Sequence, residues 1–363
     1  MFLKNLQLRQ FKSHSDRNLN FVSGINCFLG NNGVGKTNIL EAIHFICLTK
    51  SSRNITDNQC IQHEKDFFFI KGQIEYTNLD QLLETEIVCQ LKKGGKKQVL
   101  VDDKSIGKLK SHIGNYPLVM MEPEDTDLIR EGGEERRRFF DGMISQMDKN
   151  YLESLIKYNK ILQQRNAYLK RLEENTPKDF TQLLTYNSFL CPLGEEISKK
   201  RKEFLREYNP IFLKHYQNLT DNIEKASITY SPNFKIGHFE ETLLASQKKD
   251  LILQRTNIGI QKDDFIFNLN ENEIKKFGSQ GQQKSFVIAL KLAQFEILEQ
   301  KSSKKPLLML DDIFDKLDDH RIGKLVEMIK NDFGQVFITD ARAERTKGLL
   351  QEIKQEIKFF DLS

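Results

Sequence analysis

The chain has 363 residues, roughly two to three folding units of ordinary size, which excludes a peptide or a disulfide-stapled miniature domain. Hydrophobic residues make up 39% and charged residues 29%, with only 20 glycines and 7 prolines, so the composition is globular rather than low-complexity. Lys plus Arg number 55 against 51 Asp plus Glu, a net charge of +4, so a polyanionic partner would have to be met by a local basic surface.

In chain order, Phe2 to Arg9 alternates apolar and polar residues as a half-buried strand does. Ile25 to Leu29 reads as a second short strand running into Gly30, and Ile39, Leu40, Ile43, Ile46 and Cys47 then recur at helical spacing. Short β-like runs follow between Phe67 and Val101, with the polar stretch Lys92-Lys93-Gly94-Gly95-Lys96-Lys97 marking a hairpin. From about Glu124 the period becomes helical: Phe140, Ile144, Met147, Tyr151, Leu155, Tyr158, Leu162 and Leu169 step by threes and fours until Asn175-Thr176-Pro177. A second helical stretch from Phe180 is expected to bend or break near Pro192 and Pro210. β-like character returns at Ala226–Tyr230 and Phe265–Leu269, then an amphipathic helix at Ser285–Glu299 and buried-strand runs at Leu307–Leu310 and Val336–Ile338. The reading is an α/β body with lobe boundaries at 1–123 and 220–363, and a helical lobe inserted at 124–219.

No apolar run approaches the ~18 residues of a spanning helix, and the opening twelve residues carry charges where a secretory apolar region would lie, so a cytosolic protein without a membrane partner is expected. The five cysteines (Cys27, Cys47, Cys60, Cys89, Cys191) are odd in number, widely spaced and without a CxxC pair, which predicts reduced, mostly buried thiols rather than a metal site.

Gly30-Asn31-Asn32-Gly33-Val34-Gly35-Lys36-Thr37 satisfies GxxxxGK[ST] between a strand and a helix. Its glycines let successive backbone N–H groups face one concavity, the helix adds its positive N-terminal end, Lys36 is placed to reach the β- and γ-phosphates of ATP, and the Thr37 hydroxyl to bind Mg2+. Such a loop needs an acidic residue at the end of a second buried strand, and Leu307-Leu308-Met309-Leu310-Asp311-Asp312 supplies it: Asp311 for the metal shell, Asp312 as acceptor of a proton from the attacking water. A second anion-binding feature, Ser279 between Gly278 and Gly281, opens a helix, although a plain N-cap serine explains it as well.

These three elements, in this order, resemble the ABC-type ATPases. The resemblance makes Ser279, Gln280, Gly281 and Gln282 the signature motif, which in that group closes over the ATP of the opposite subunit. It makes Asp315 and Asp318 part of the D-loop and Thr339 the switch position; the glutamine of the conventional Q-loop is not identifiable, Glu122 sitting in that region. A membrane-transporter ATPase usually has a switch histidine where this chain has Thr339, and a scaffold that only binds nucleotide has no need of Asp312.

Closer still, the chain resembles the RecF family of bacterial recombination and repair proteins over nearly its whole length. The strings that carry this are FLKNLQLRQFKSH, GNNGVGKTNILEAIHF with Ser52-Arg53 after it, MEPEDTDLIREGGEERRRFFD, GSQGQQKS and LLMLDDIFDKLDDHR. One departure is Gly259-Ile260-Gln261-Lys262-Asp263-Asp264, where the family usually shows Gly-Pro-His-Arg-Asp-Asp. The resemblance implies an ABC-type, SMC-like P-loop ATPase head with an inserted helical lobe and no long coiled coil. It implies an ATP-dependent homodimer that holds double-stranded and gapped DNA, hydrolyses ATP slowly and works with RecR and RecO in loading recombinase. Candidate phosphate contacts are Lys92, Lys93, Lys96 and Lys97 on the hairpin and Lys199 and Lys200 on a helix. Some of Arg136, Arg137 and Arg138 are expected to pair with acids inside the lobe instead.

Overall fold

The computed structural model describes residues 1–53, 55–78, 81–172, 180–221, 224–314, 319–330, 333–351 and 353–362. The chain begins with β1 (Phe2–Phe11), β2 (His14–Asn20), β3 (Ile25–Leu29) and α1 (Lys36–Leu48), then β4 (Phe67–Asn78), β5 (Gln81–Lys92), β6 (Gln98–Val101), β7 (Lys104–Ser105) and β8 (Leu118–Met121). A largely helical stretch follows: α2 (Asp127–Arg130), α3 (Gly133–Met147), α4 (Lys149–Arg171), α5 (Thr181–Thr220), β9 (Ala226–Ser231), α6 (Phe239–Ala245), α7 (Gln247–Leu253), β10 (Asp264–Leu269), β11 (Asn272–Glu273), α8 (Ile274–Phe277) and α9 (Gln280–Lys301). It closes with β12 (Leu307–Asp311), α10 (Asp319–Lys330), β13 (Val336–Asp340), α11 (Ala343–Leu350) and β14 (Ile357–Asp361).

Two compact units result, Met1–Asp125 with Ile288–Ser363 and Thr126–Val287. In the first, a parallel sheet runs β14-β3-β13-β12-β8 and an antiparallel one β2-β1-β4-β5-β6-β7. Strands β3, β12 and β13 are buried at every position, as strands covered on both faces must be, which is why they read as unbroken apolar runs. β5, by contrast, alternates buried and part-exposed residues through its second half, so one face of the antiparallel sheet meets water. Helix α1 contributes Ile39, Leu40, Ala42, Ile43, Phe45, Ile46 and Cys47 to a core shared with Leu3, Phe68 and Ile70 of the antiparallel sheet and Met309 and Phe337 of the parallel one. Asp311 pairs in register with Thr339, and Thr339 with Phe28, so the carboxyl ends of β3, β12 and β13 line up at one sheet edge. Ligand sites of open parallel sheets lie at that edge.

The second unit is built on α4 and α5, bonded by Arg165 Nε to Asn187 Oδ1 at 3.0 Å, with a three-stranded sheet β11-β10-β9. α5, at 40 residues, is the longest helix among the described residues and packs along α4 within the unit, so there is no long coiled coil among them.

Four features differ from the sequence reading. Residues 220–287 belong to the second unit and not to the ATPase lobe, because β10 turns Phe265 and Phe267 onto Phe140 of α3 instead of extending the parallel sheet. The helical run through Met147 and Tyr151 is broken at Asp148, whose carboxylate caps α4 by accepting from the amides of Asn150 and Tyr151. α5 continues through Pro192 and Pro210; its packing on α4, α6 and β9 outweighs a cost of about 3 kcal/mol per interior proline. Strand β2 pairs with β1 over Asn5↔Asn20 to Phe11↔His14 although its sequence, HSDRNLN, has almost no apolar residue.

All five cysteines are free and buried. No helix among the described residues is long and apolar enough to cross a membrane.

Candidate functional site

The loop 30–37 lies between the carboxyl end of β3 and the start of α1. Gly33 and Gly35 have φ of 88° and 97°, a left-handed backbone that a β-carbon disfavours. Asn31, Asn32 and Gly33 are open to solvent and Val34 is part-buried, while Lys36 is only 4% exposed. The Lys36 ammonium donates to the carbonyls of Gly30 at 2.9 Å and Asn31 at 3.2 Å, and makes no ion pair among the described residues.

Thr37 and Asp311, 274 residues apart, meet directly: the threonine hydroxyl donates to Asp311 Oδ1 at 2.9 Å. The Thr339 hydroxyl donates to the same oxygen at 2.7 Å and accepts from the Asp312 amide at 2.9 Å. Asp311 is 2% exposed. Burial pushes its carboxyl above the usual aspartate range, and the bonds from Thr339 and Thr37 oppose that only in part. Nothing cationic pairs with it among the described residues. Thr339, placed by the sequence reading at the switch position, is fully buried within β13 and braces the two aspartates. Asp312 takes φ of 45°, uncommon for a residue other than glycine, at the end of β12. Asp315 and Asp318 lie outside the described residues.

In the second unit Ser279 stands immediately before α9. Its hydroxyl accepts from the Gln282 amide at 3.2 Å, and Gln282 Oε1 accepts from the Ser279 amide at 2.6 Å, a reciprocal capping box. Ser279 and Gln280 are exposed, as is Phe277, whereas Gly281 and Gln282 are half-buried and Gln282 donates to Glu224 at 2.6 Å.

The basic candidates separate. Lys92, Lys93 and Lys96 are exposed at the β5–β6 turn, and Lys199 is exposed on α5. Lys97 is withdrawn: its side chain is 9% exposed and ion-paired to Asp57 at 2.7 Å, which sets it apart from its exposed neighbours. Hairpin spacing marks where the chain turns and not which lysine folds back. Lys200 is exposed but tied to Asp148 at 3.1 Å. Arg136 makes a two-pronged pair with Asp264, Arg137 donates to the Asp263 carbonyl and Arg138 pairs with Glu135. In the divergent 259–264 loop, Gln261 accepts from the Tyr158 hydroxyl at 2.7 Å and Asp263 receives Arg201 at 2.8 Å.

Sequence reasoning assigned no role to Lys12, Ser13, His14 and Glu41, which border the phosphate loop. The available signal was the string FKSH at the turn from β1 into β2, whose spacing to the loop carries no obvious meaning in one dimension.

A family profile described as RecF/RecN/SMC N terminal domain matches residues 2–355. The chain belongs to the RecF family. It is 45% identical to the DNA replication and repair protein RecF of Flavobacterium johnsoniae, over 100% of both chains, and 42% identical to that of Cytophaga hutchinsonii, over 99% of this chain and 94% of the relative. A solved structure of the recombination mediator protein RecF with ATP, described as part of the RecFOR pathway, superposes with a TM-score of 0.87 at 29% identity, covering 94% of this chain and 92% of that one. An Smc head domain of Pyrococcus furiosus shares the fold at a TM-score of 0.57 and 15% identity. The fold is therefore an SMC-like ATPase head of mixed α/β construction.

Proposed function

We propose that this RecF-family chain is an ATP-dependent DNA-binding protein of replication and recombinational repair, with slow, DNA-stimulated ATP hydrolysis. The observation that carries the reading is a pair of buried charged side chains, Lys36 and Asp311, that make no ion pair among the described residues. Among the described residues Lys36 is held by two backbone carbonyls and Asp311 by two hydroxyls, at the edge where β3, β12 and β13 end. A buried charge is costly unless compensated, so this arrangement suits a ligand that brings a phosphate to the lysine and a cation to the carboxylate.

In this reading the amides of loop 30–37 and Lys36 bind the phosphates of ATP, and the Thr37 hydroxyl with Asp311 holds Mg2+. The oxygen-only donor pair fits that ion. Mg2+ would neutralise charge developing on the β- and γ-phosphates. Asp312 accepts the proton of the attacking water. Ser279 and its neighbours, exposed at the start of α9, serve the ATP of a second copy, so that ATP closes a homodimer on double-stranded or gapped DNA, with RecR and RecO as partners. Lys92, Lys93, Lys96 and Lys199 supply phosphate contacts.

Mixing two inactive variants tests the composite site. Asp312→Asn and Ser279→Arg homodimers each lack any intact site, but in a mixed dimer both lesions fall on one site. Random equal mixing makes half the dimers mixed, each with one good site, so ATPase activity with DNA present should recover to about a quarter of wild type if the sites act independently. Ser279→Ala run in parallel guards against an arginine that blocks pairing. Mixed dimers confirmed by sedimentation, yet showing no recovery, would overturn the trans arrangement.

A further inference from the structure

The turn between β1 and β2 grips the phosphate loop and its helix at three successive points. His14, 3% exposed, donates from Nε2 to the Gly35 carbonyl at 3.0 Å. Asn38 Nδ2 donates to Ser13 Oγ at 2.8 Å. Lys12 is ion-paired with Glu41, a fully buried carboxylate that also receives Ser51 Oγ at 3.0 Å. Residues 14, 13 and 12 thus meet 35, 38 and 41, and a spacing of three keeps the helical partners on one side of α1.

The turn is itself strained. Gln10 and Lys12 both have φ of 50°, a left-handed conformation that costs a non-glycine residue about 1–2 kcal/mol and persists only where surrounding contacts over-determine it. The fit is also close. A β-carbon at Gly33 would meet nothing within 4 Å, whereas one at Gly35 would come within 2.8 Å of the His14 ring and nearer still to the Ser13 hydroxyl. Glycine at 35 is required by the turn as well as by φ.

In a trans peptide the carbonyl and the following N–H point in opposite directions across one plane. With its carbonyl held by His14, as well as by the Asn38 and Ile39 amides, Gly35 turns the Lys36 N–H the other way. Burial keeps the His14 pKa below the ordinary histidine value, and a carbonyl partner, which can only accept, makes Nε2 the donor in this bond.

We propose that Lys12, Ser13 and His14 are positioning residues that aim the amides of the phosphate loop before nucleotide arrives. The functional half of this rests on the ATP reading above; the ordering of the loop does not. His14→Ala in the full chain should raise the Kd of MgATP and MgADP about tenfold, as loss of one buried hydrogen bond does. Turnover at saturating ATP should change less than twofold, because the clamp acts on the cradle that holds ground state and transition state alike. His14→Gln, whose side-chain amide can also donate, should recover affinity to within about threefold of wild type, and Ser13→Ala should weaken binding two- to threefold. Hydrogen exchange without nucleotide gives the independent readout: amides 33–37 should exchange faster in His14→Ala and return toward wild type in His14→Gln. The clamp is overturned if His14→Ala leaves both affinity and exchange unchanged, or if Gln does no better than Ala while both melt as wild type does. A wild-type chain that binds no ATP would sink the functional reading instead, and exchange alone would then decide the clamp.

Discussion

The two units differ in the buried charges they leave without an ion pair, although the first also closes pairs such as Lys12–Glu41 and Lys291–Asp125. In Thr126–Val287 each deeply buried charge faces its opposite: Arg165 and Asp250 are both fully buried and 2.8 Å apart, and Arg201 lies between Asp141 and Asp263 at 2.8 Å from each. In the first unit Lys36 and Asp311 are as deeply placed but hydrogen-bond only to neutral groups among the described residues. The lesson is that burial of charge does not mark a site. A closed pair reads as structure, since it holds α4, α5 and the 259–264 loop together; an uncompensated pair at a sheet edge reads as a place prepared for a ligand.

The largest effect that would sharpen this contrast lies in the second unit. Arg165→Met leaves Asp250 buried without its cation and should destabilise that unit by about 3–5 kcal/mol, read as an early unfolding step in a denaturant titration. Nucleotide affinity measured below that step should stay within twofold of wild type. A comparable loss of affinity would show that the two kinds of burial are not separable.

Next in size, Asp312→Asn should keep ATP binding and slow turnover about a hundredfold, the loss expected of a proton acceptor. Normal hydrolysis by this variant places the base elsewhere.

Asp311→Asn should act in two directions. Because burial raises the folded pKa of Asp311, its stabilising contribution is present at low pH and lost as pH rises through that value, so at pH 7 the carboxylate destabilises the empty protein. The amide keeps the acceptor for Thr37 and Thr339 without the charge. The empty variant should melt about 1–3 °C higher at pH 7, a gap that closes on acidification, and lose the stabilisation that MgATP gives wild type. A lower melting temperature would mean that Asp311 is a structural residue like those of the second unit.

The smallest effect concerns the surface. Lys93→Ala with Lys96→Ala should lower the slope of log affinity for duplex DNA against log salt by about one to two units, whereas Lys97→Ala should leave the slope alone and cost stability, since Lys97 is bound to Asp57. An unchanged slope in the double variant removes the hairpin from the DNA surface.

Much of the first unit was legible because its signals are local. The phosphate loop is a contiguous string whose glycines are required by the backbone itself, and β3, β12 and β13 announce themselves by apolar runs that only two-sided burial produces. The misses share a cause. β2 carries almost no apolar pattern because it is held by pairing to β1; the break at Asp148 interrupts a period that continues on both sides of it; and the prolines of α5 are tolerated because the helix is packed along its length.

The amino-acid sequence by itself determined the glycine loop between a strand and a helix, the buried strands β3, β12 and β13, and the family to which the chain belongs. Each follows from residues close in the chain or from strings long enough to be specific. Tertiary structure decided which residues meet: Thr37 with Asp311 and Thr339, Lys12 with Glu41, Lys97 with Asp57, and the assignment of residues 220–287 to the second unit. Partners so far apart in the chain are chosen by the packing that brings them together, and a side chain's sequence neighbours carry no record of that choice.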